Sequence, residues 1–301
     1  MITHNINPRR SALRTWLRRN QGIGFVLPAL LTLAALIVWP LLDTARLSVT
    51  NEEGGYVGAA NFQSMLDDPT TTLATVNSVV YVLGSLVLQM LIGTGAGILL
   101  NQRFAGRGAL RTLLLIPWVV PGIVAATTWA WMFHVEFGII NYAAVQAGLA
   151  ARPLGWLTDP SLVLPSLIAV NVWKMFPFVA IMVLAGLQAI PPELYEAARV
   201  DGAVFADEVR FIMLPMLRSV LASVGLLLLI WGMNGITIIY TMTGGGPANH
   251  SLILPLQIFK QAFQAFEFNQ AAALSLMLFA VLFVAILLQM TLFGRTGARD
   301  A

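Results

Sequence analysis

Five stretches of this chain run for about 20 residues without a charged side chain, the length a helix needs to cross a hydrocarbon layer. They lie near Gly24 to Leu42, Val76 to Leu100, Thr112 to Phe133, Ser219 to Met242 and Ala271 to Phe293. A sixth stretch, Ser161 to Ala189, is interrupted by Lys174 alone. It counts as a span provided the lysine faces protein or water, because a lysine at the centre of a lipid-facing helix costs about 2.5 to 3.5 kcal/mol. Composition agrees: 10% of residues are charged and mean hydropathy is +0.79, whereas soluble domains carry about 25% charged residues. Lipid leaves the backbone no outside hydrogen-bond partner. The expectation is an all-α polytopic membrane protein with about six transmembrane helices.

Positive charge sets the orientation, because Lys and Arg gather in cytoplasmic connections. Arg9, Arg10, Arg14, Arg18 and Arg19 precede the first span, and Arg103, Arg107 and Arg111 lie between the second and third. Arg199, Arg210 and Arg218 lie between the fourth and fifth, and Arg295 and Arg299 follow the last. One side therefore collects thirteen of the 17 basic residues, against Arg46, Arg152 and Lys260 on the other. Both termini are expected in the cytoplasm of a bacterial cell, with the chain multi-pass in its cytoplasmic (inner) membrane. The acidic loop holding Asp43, Glu52, Glu53, Asp67 and Asp68 then falls outside. The basic N-terminus resembles a secretory signal, but its apolar run exceeds the 7 to 15 residues of one, so it reads as an uncleaved span. The partition is a cytoplasmic segment 1–23, a six-span transmembrane domain 24–293 with a cytoplasmic loop at 190–215, and a cytoplasmic tail 294–301. Cysteine is absent, which excludes disulfides and thiolate metal sites.

That loop contains EAARVDGAVFADEVRFIMLP, Glu196 to Pro215, the densest polar segment between two apolar runs. Pro191 and Pro192 end the preceding span, and good helix formers follow from Glu193 to Val200, with the acidic residues near the N-terminus. Gly202 permits a tight turn, a further short helix is expected from Phe205, and Pro215 suits the start of the next long helix. The product is a helix-turn-helix at the cytoplasmic surface, with Ala197 and Ala198 as a small-residue patch open to close approach.

The spacing Glu196-Ala197-Ala198, Gly202, Ile212 and Leu214-Pro215 resembles the EAA motif of permease subunits in bacterial ATP-binding-cassette (ABC) importers. A second stretch, Thr243-Gly244-Gly245-Gly246-Pro247, is similar to one carried after a late span in the carbohydrate branch, in subunits like the larger maltose permease. Gly186 to Ala203 also looks like that branch, and the resemblance covers Phe25 to Phe293. The larger maltose permease has extra N-terminal spans and an external domain that have no counterpart in this sequence. The resemblance implies a type I importer fold in which the loop is a coupling helix seated in an ATPase subunit, with Glu196, Ala197, Ala198, Asp201, Gly202, Ala203 and Phe205 at the contact. Asp207 and Glu208 occupy positions the motif leaves free. It assigns Thr243 to Pro247 to contact with a binding protein or to the translocation mouth. It further implies a second homologous permease, two ATP-binding-cassette subunits that use Mg-ATP, and an external substrate-binding protein delivering a sugar or sugar-like solute.

Within the spans, Asn171 and Lys174 share a helical face, and Asn77 and Asn234 add polar groups from other helices. These, with Trp173 and Trp231, are candidates for a substrate pathway, since sugars need hydrogen-bonding groups and aromatic faces. The same groups could instead satisfy one another between helices. GTGAG, Gly93 to Gly97, lacks a following Gly-Lys and reads as helix packing, not phosphate binding. His4, His134 and His250 are scattered and imply no metal site. No Walker lysine is present, so the chain is expected to bind no cofactor and to be no enzyme itself, with membrane lipid and not nucleic acid as its surroundings. An ion-coupled secondary transporter would need carboxylates within the spans, and all 14 acidic residues fall in loops, tails or span boundaries. An intramembrane enzyme would need a clustered acid-base set, which the sequence does not offer.

Overall fold

The computed structural model describes residues 21–297. The basic segment before Gln21 and the end of the tail lie outside the described residues. The chain enters as α1 (Gln21–Leu33), passes through a π turn at Ala34–Val38, and continues as α2 (Trp39–Ser48). A loop and the short α3 (Ala60–Asp67) lead to the 33-residue α4 (Pro69–Asn101), which Asp68 caps by accepting from the Thr70 amide. There follow α5 (Arg107–Val119), α6 (Gly122–Met132), α7 (Ile139–Gln146) and α8 (Val163–Gln188). Next come α9 (Pro192–Val200), then α10 (Phe205–Asp207) running through a π segment at Glu208–Met213 into α11 (Leu214–Asn234). The chain closes with α12 (Thr237–Met242), α13 (Leu254–Lys260) and α14 (Phe268–Gly297).

Five described helices are long and apolar enough to cross a membrane: Val26–Ser48, Pro69–Asn101, Val163–Gln188, Phe205–Asn234 and Phe268–Gln289. The stretch expected as a third straight span is instead two helices, α5 and α6, bent by 95°. Pro121 is the cause. Its ring disfavours helix at the residue before it, and Val120 accordingly takes φ −59° and ψ 131°. The fifth expected span also differs: α11 stops at Asn234, with Gly235 extended, and α12 is a separate turn of helix. At its other end this span has no break before it, because the expected short helix from Phe205 is continuous with it.

The centre of the bundle is the pairing of α4 with α8. Along α4, Asn77, Tyr81, Ser85, Gln89, Gly93 and Gly97 recur every fourth residue, and all six are buried. At 3.6 residues per turn each step of four turns the stripe by about 40°, so its two ends face different neighbours. At the lower end, a Cβ added to Gly93 would lie 2.4 Å from Val179 Cβ, and one added to Gly97 would lie 2.7 Å from Val183 Cγ1. Small residues four apart let two helix backbones approach closely, so GTGAG is a packing motif.

Two apolar clusters flank this pairing. One gathers Val179, Val183, Leu187, Met213, Leu217 and Val224 at the end where α9 lies. The other gathers Tyr81, Phe133, Leu167, Ile239, Ile253 and Leu256 at the opposite end. Polar ties close that second end: Asn269 donates to the Leu47 and Thr50 carbonyls at 3.0 and 2.7 Å, and Gln257 donates to Thr71 Oγ1 at 2.8 Å. Gln289 on α14 donates to the Ala222 carbonyl of α11.

Candidate functional site

The 190–215 loop is a hinge of two arms. Pro192 sits at the start of α9, where its missing amide proton costs nothing, with Glu193 in the first turn and Arg199 in the last, the charge order that the helix dipole favours. The arm ends in a Schellman turn: the Gly202 amide donates to Arg199 O at 3.1 Å and the Ala203 amide to Ala198 O at 2.9 Å. This requires Gly202 at φ +86°, and an added Cβ there would meet nothing within 4 Å. The glycine therefore serves backbone conformation, not space. On the second arm, Asp207 accepts from the Val204 amide at 3.0 Å.

One ion pair locks the arms together. Arg199 Nε donates to Glu208 Oε1 at 2.6 Å, with the glutamate side chain only 6% exposed and the arginine 64%. Hydrogen bonding to Glu208, and then its charge, holds the Arg199 guanidinium above its ordinary value. Burial pushes the Tyr195 phenol up, with the Glu208 charge adding to it. Tyr195, Glu196, Arg199 and Glu208 line a cleft of about 540 Å³ with Arg103 from the α4–α5 connection. Outward, α9 and the turn expose Leu194, Val200, Val204 and Phe205, an apolar strip beside Glu196, Ala197, Asp201 and Gly202, all exposed, and the half-buried Ala198 and Ala203.

At the opposite end, Thr243 to Pro247 form a tightly bonded turn. Thr243 Oγ1 meets Ser251 Oγ at 2.8 Å, and Ser251 Oγ also lies 2.6 Å from Gly246 O. Gly244 and Gly245 take φ +59° and +93°, which side chains resist. Asn77 fixes this turn to α4 by donating to the Asn249 and Leu252 carbonyls at 3.1 and 3.0 Å, and Ser78 Oγ accepts from the Leu254 amide at 2.8 Å.

Between the two apolar clusters lies a cavity of about 190 Å³, lined by Tyr81, Ser85, Gln89, Asn171, Lys174 and Trp231 among others. Lys174 Nζ donates to the Val120 carbonyl at 2.5 Å, the group exposed where α5 breaks from α6. Gln89 donates to Asn171 O at 3.3 Å. Ser85 is buried, and its hydroxyl has no hydrogen-bond partner.

Of the pathway candidates, Asn171 and Lys174 meet at this cavity, together with Trp231. The other three stand apart. Asn77 spends its amide on the 249–252 backbone, Trp173 packs edge-on against Trp129 with ring centroids 5.4 Å apart, and Asn234 donates to Ile230 O of its own helix. Sequence reasoning did not find Tyr81, Ser85 and Gln89, although their four-residue spacing along an apolar run was the available signal. It also left Glu208 without a role. Nothing in the local pattern points from Glu208 to Arg199, because the two meet only once the chain has reversed at Gly202. Among the described residues no cluster of three His, Asp or Glu side chains is placed to hold a metal ion.

Residues 89–295 match the family model of the binding-protein-dependent transport system inner membrane component. The trehalose/maltose transport system permease protein MalF of Thermococcus litoralis is 32% identical over 265 residues, covering 86% of this chain and 89% of its own. The sulfoquinovosyl glycerol transport system permease protein SmoG of Agrobacterium fabrum is 32% identical over 260 residues, 84% of each chain. In fold, the chain is similar to one in the crystal structure of a bacterial ABC transporter that imports the acidic polysaccharide alginate. The TM-score is 0.84 at 20% identity, covering 94% of this chain and 99% of that one. A second alginate transporter structure, in complex with a pentasaccharide-bound periplasmic protein, gives a TM-score of 0.82 at 21% identity.

Proposed function

Because this chain belongs to the family of binding-protein-dependent transport system inner membrane components, and is thus a multi-pass permease of an ABC importer, we propose that it carries a saccharide or a sugar-like solute. Relatives named for trehalose/maltose and for sulfoquinovosyl glycerol support that class. A second permease of the same family completes the pathway, an external binding protein delivers the solute, and two ATPase chains hydrolyse Mg-ATP. This chain then contributes the membrane path and binds no nucleotide. The bias of Arg and Lys along the sequence supports cytoplasmic termini.

The observation that carries the coupling role is the exposed apolar strip on α9 and the turn after it, held at the foot of the spans by the Arg199–Glu208 pair. A helix and turn that show Leu194, Val200, Val204 and Phe205 to their surroundings, held by an ion pair, are built to receive another protein. On this reading Glu196 to Phe205 are the seat of the ATPase, and the 243–247 turn faces the binding protein. An ion-coupled transporter is disfavoured because no carboxylate lines the described cavity. Purification of the tagged chain in mild detergent tests the reading. Recovery of an ATPase and a second permease in stoichiometric amount, with saccharide uptake by the reconstituted complex, is the expected result. A chain that transports alone overturns it.

A further inference from the structure

Lys174 sits twelve residues into the 26-residue α8, at the depth where a charge is least welcome, yet the cavity it lines contains no acidic residue. The Arg46–Asp43 and Arg199–Glu208 ion pairs both lie elsewhere. One of its three ammonium donors goes to Val120 O. That bond alone does not account for the charge: a serine, glutamine or asparagine could donate to a carbonyl without the cost of bringing a cation into the membrane.

We propose that the solute passing this cavity is an anionic saccharide, bearing a carboxylate, sulfonate or phosphate, and that Lys174 receives its negative group. The inference rests on the reading of the chain as a saccharide permease and narrows its substrate class. A cation without a carboxylate partner in a cavity partly enclosed by protein attracts an anion more strongly than the same pair in bulk water. The remaining lining suits the sugar itself. The partnerless Ser85 hydroxyl, with Gln89 and Asn171, offers hydrogen bonds to ring hydroxyls, and Trp231 gives an aromatic face. Val120 O orients the ammonium, so the charge is presented at a fixed point beside the α5–α6 bend.

The test uses the full complex and its cognate external receptor. The receptor is screened by thermal shift against neutral disaccharides and their uronate, sulfonated and phosphorylated counterparts, and solutes that bind are followed into proteoliposomes. Expected are receptor binding of an acidic saccharide and a fall of about tenfold or more in its uptake with K174Q, while K174R retains most of it. The K174Q complex is checked for assembly by co-purification; should it not assemble, the receptor screen decides alone. A receptor that takes only uncharged saccharides overturns this inference and leaves the functional reading standing. Uptake of the acidic saccharide by K174Q at the normal rate overturns it likewise. A receptor that binds no saccharide at all overturns the functional reading, and this one with it.

Discussion

Arg199 and Glu208 stand nine residues apart in sequence and 2.6 Å apart in space, joined across the reversal at Gly202, with the carboxylate buried and the guanidinium mostly open to solvent. The asymmetry of their exposure gives an asymmetric expectation. Removing Arg199 leaves a buried carboxylate without its partner, whereas removing Glu208 leaves a cation that water can solvate. Arg199→Ala should therefore lower uptake per ATP hydrolysed more than Glu208→Gln does, with both variants still inserted in the membrane. Equal losses would mean that the pair does not set the angle of α9.

Gly202 separates strain from crowding. Its φ is +86°, and a Cβ would meet open space, so any non-glycine residue carries the left-handed penalty of roughly 1 to 2 kcal/mol and no steric one. Gly202→Ala and Gly202→Leu should then lower the unfolding midpoint of the isolated chain to a similar degree, and Gly202→Asn least. Coupling in the assembled complex, where an ATPase is proposed to cover this turn, should instead fall with side-chain size; coupling that ignores size would mean that no partner surface lies there.

The packing of α4 on α8 carries its own control. Gly93→Ala places a Cβ against Val179 and the Phe176 carbonyl and should destabilise by about 1 to 3 kcal/mol, read as a lower unfolding midpoint in detergent. Gly95 lies two residues on, and a Cβ added there meets nothing within 4 Å. Gly95→Ala should leave the midpoint unchanged or raise it slightly.

Asn77 ties the glycine-rich turn to α4 through two carbonyls. Asn77→Ala takes this donor from the Leu252 carbonyl, while the Asn249 carbonyl keeps the Leu252 amide at 3.0 Å, at a cost of about 1 to 3 kcal/mol. The expected sign is faster protease cleavage between Thr243 and Leu252 while the span itself stays inserted. Unchanged cleavage would mean that the Thr243–Ser251 hydrogen bonds hold the turn by themselves.

The spans are legible in the sequence because lipid tolerates so few alternatives, and the arm from Glu193 to Gly202 is legible because its start and stop residues each have a mechanical reason. The 95° break was also written there, in Val120-Pro121-Gly122, but hydropathy averaged over Thr112 to Phe133 masked it. The cavity was half legible: Asn171 and Lys174 stand out as polar groups in an apolar run, whereas Tyr81, Ser85 and Gln89 show only as a period of four. Asn77 and Asn249 are 172 residues apart, and no local rule reports which backbone a buried amide will find.

The continuity of α10 with α11 has a mechanical consequence. From Phe205 to Trp231 the chain is one rod about 40 Å long at 1.5 Å per residue, with its lower tip beside the Gly202 turn and its upper part forming a wall of the cavity. As a lever, it would carry Trp231 sideways by about 7 Å for a tilt of only ~10° about its foot. Under the proposed coupling, small displacements at the Gly202 end would be magnified into strokes as wide as a sugar ring, carried by a helix that is unbroken from Phe205 to Asn234.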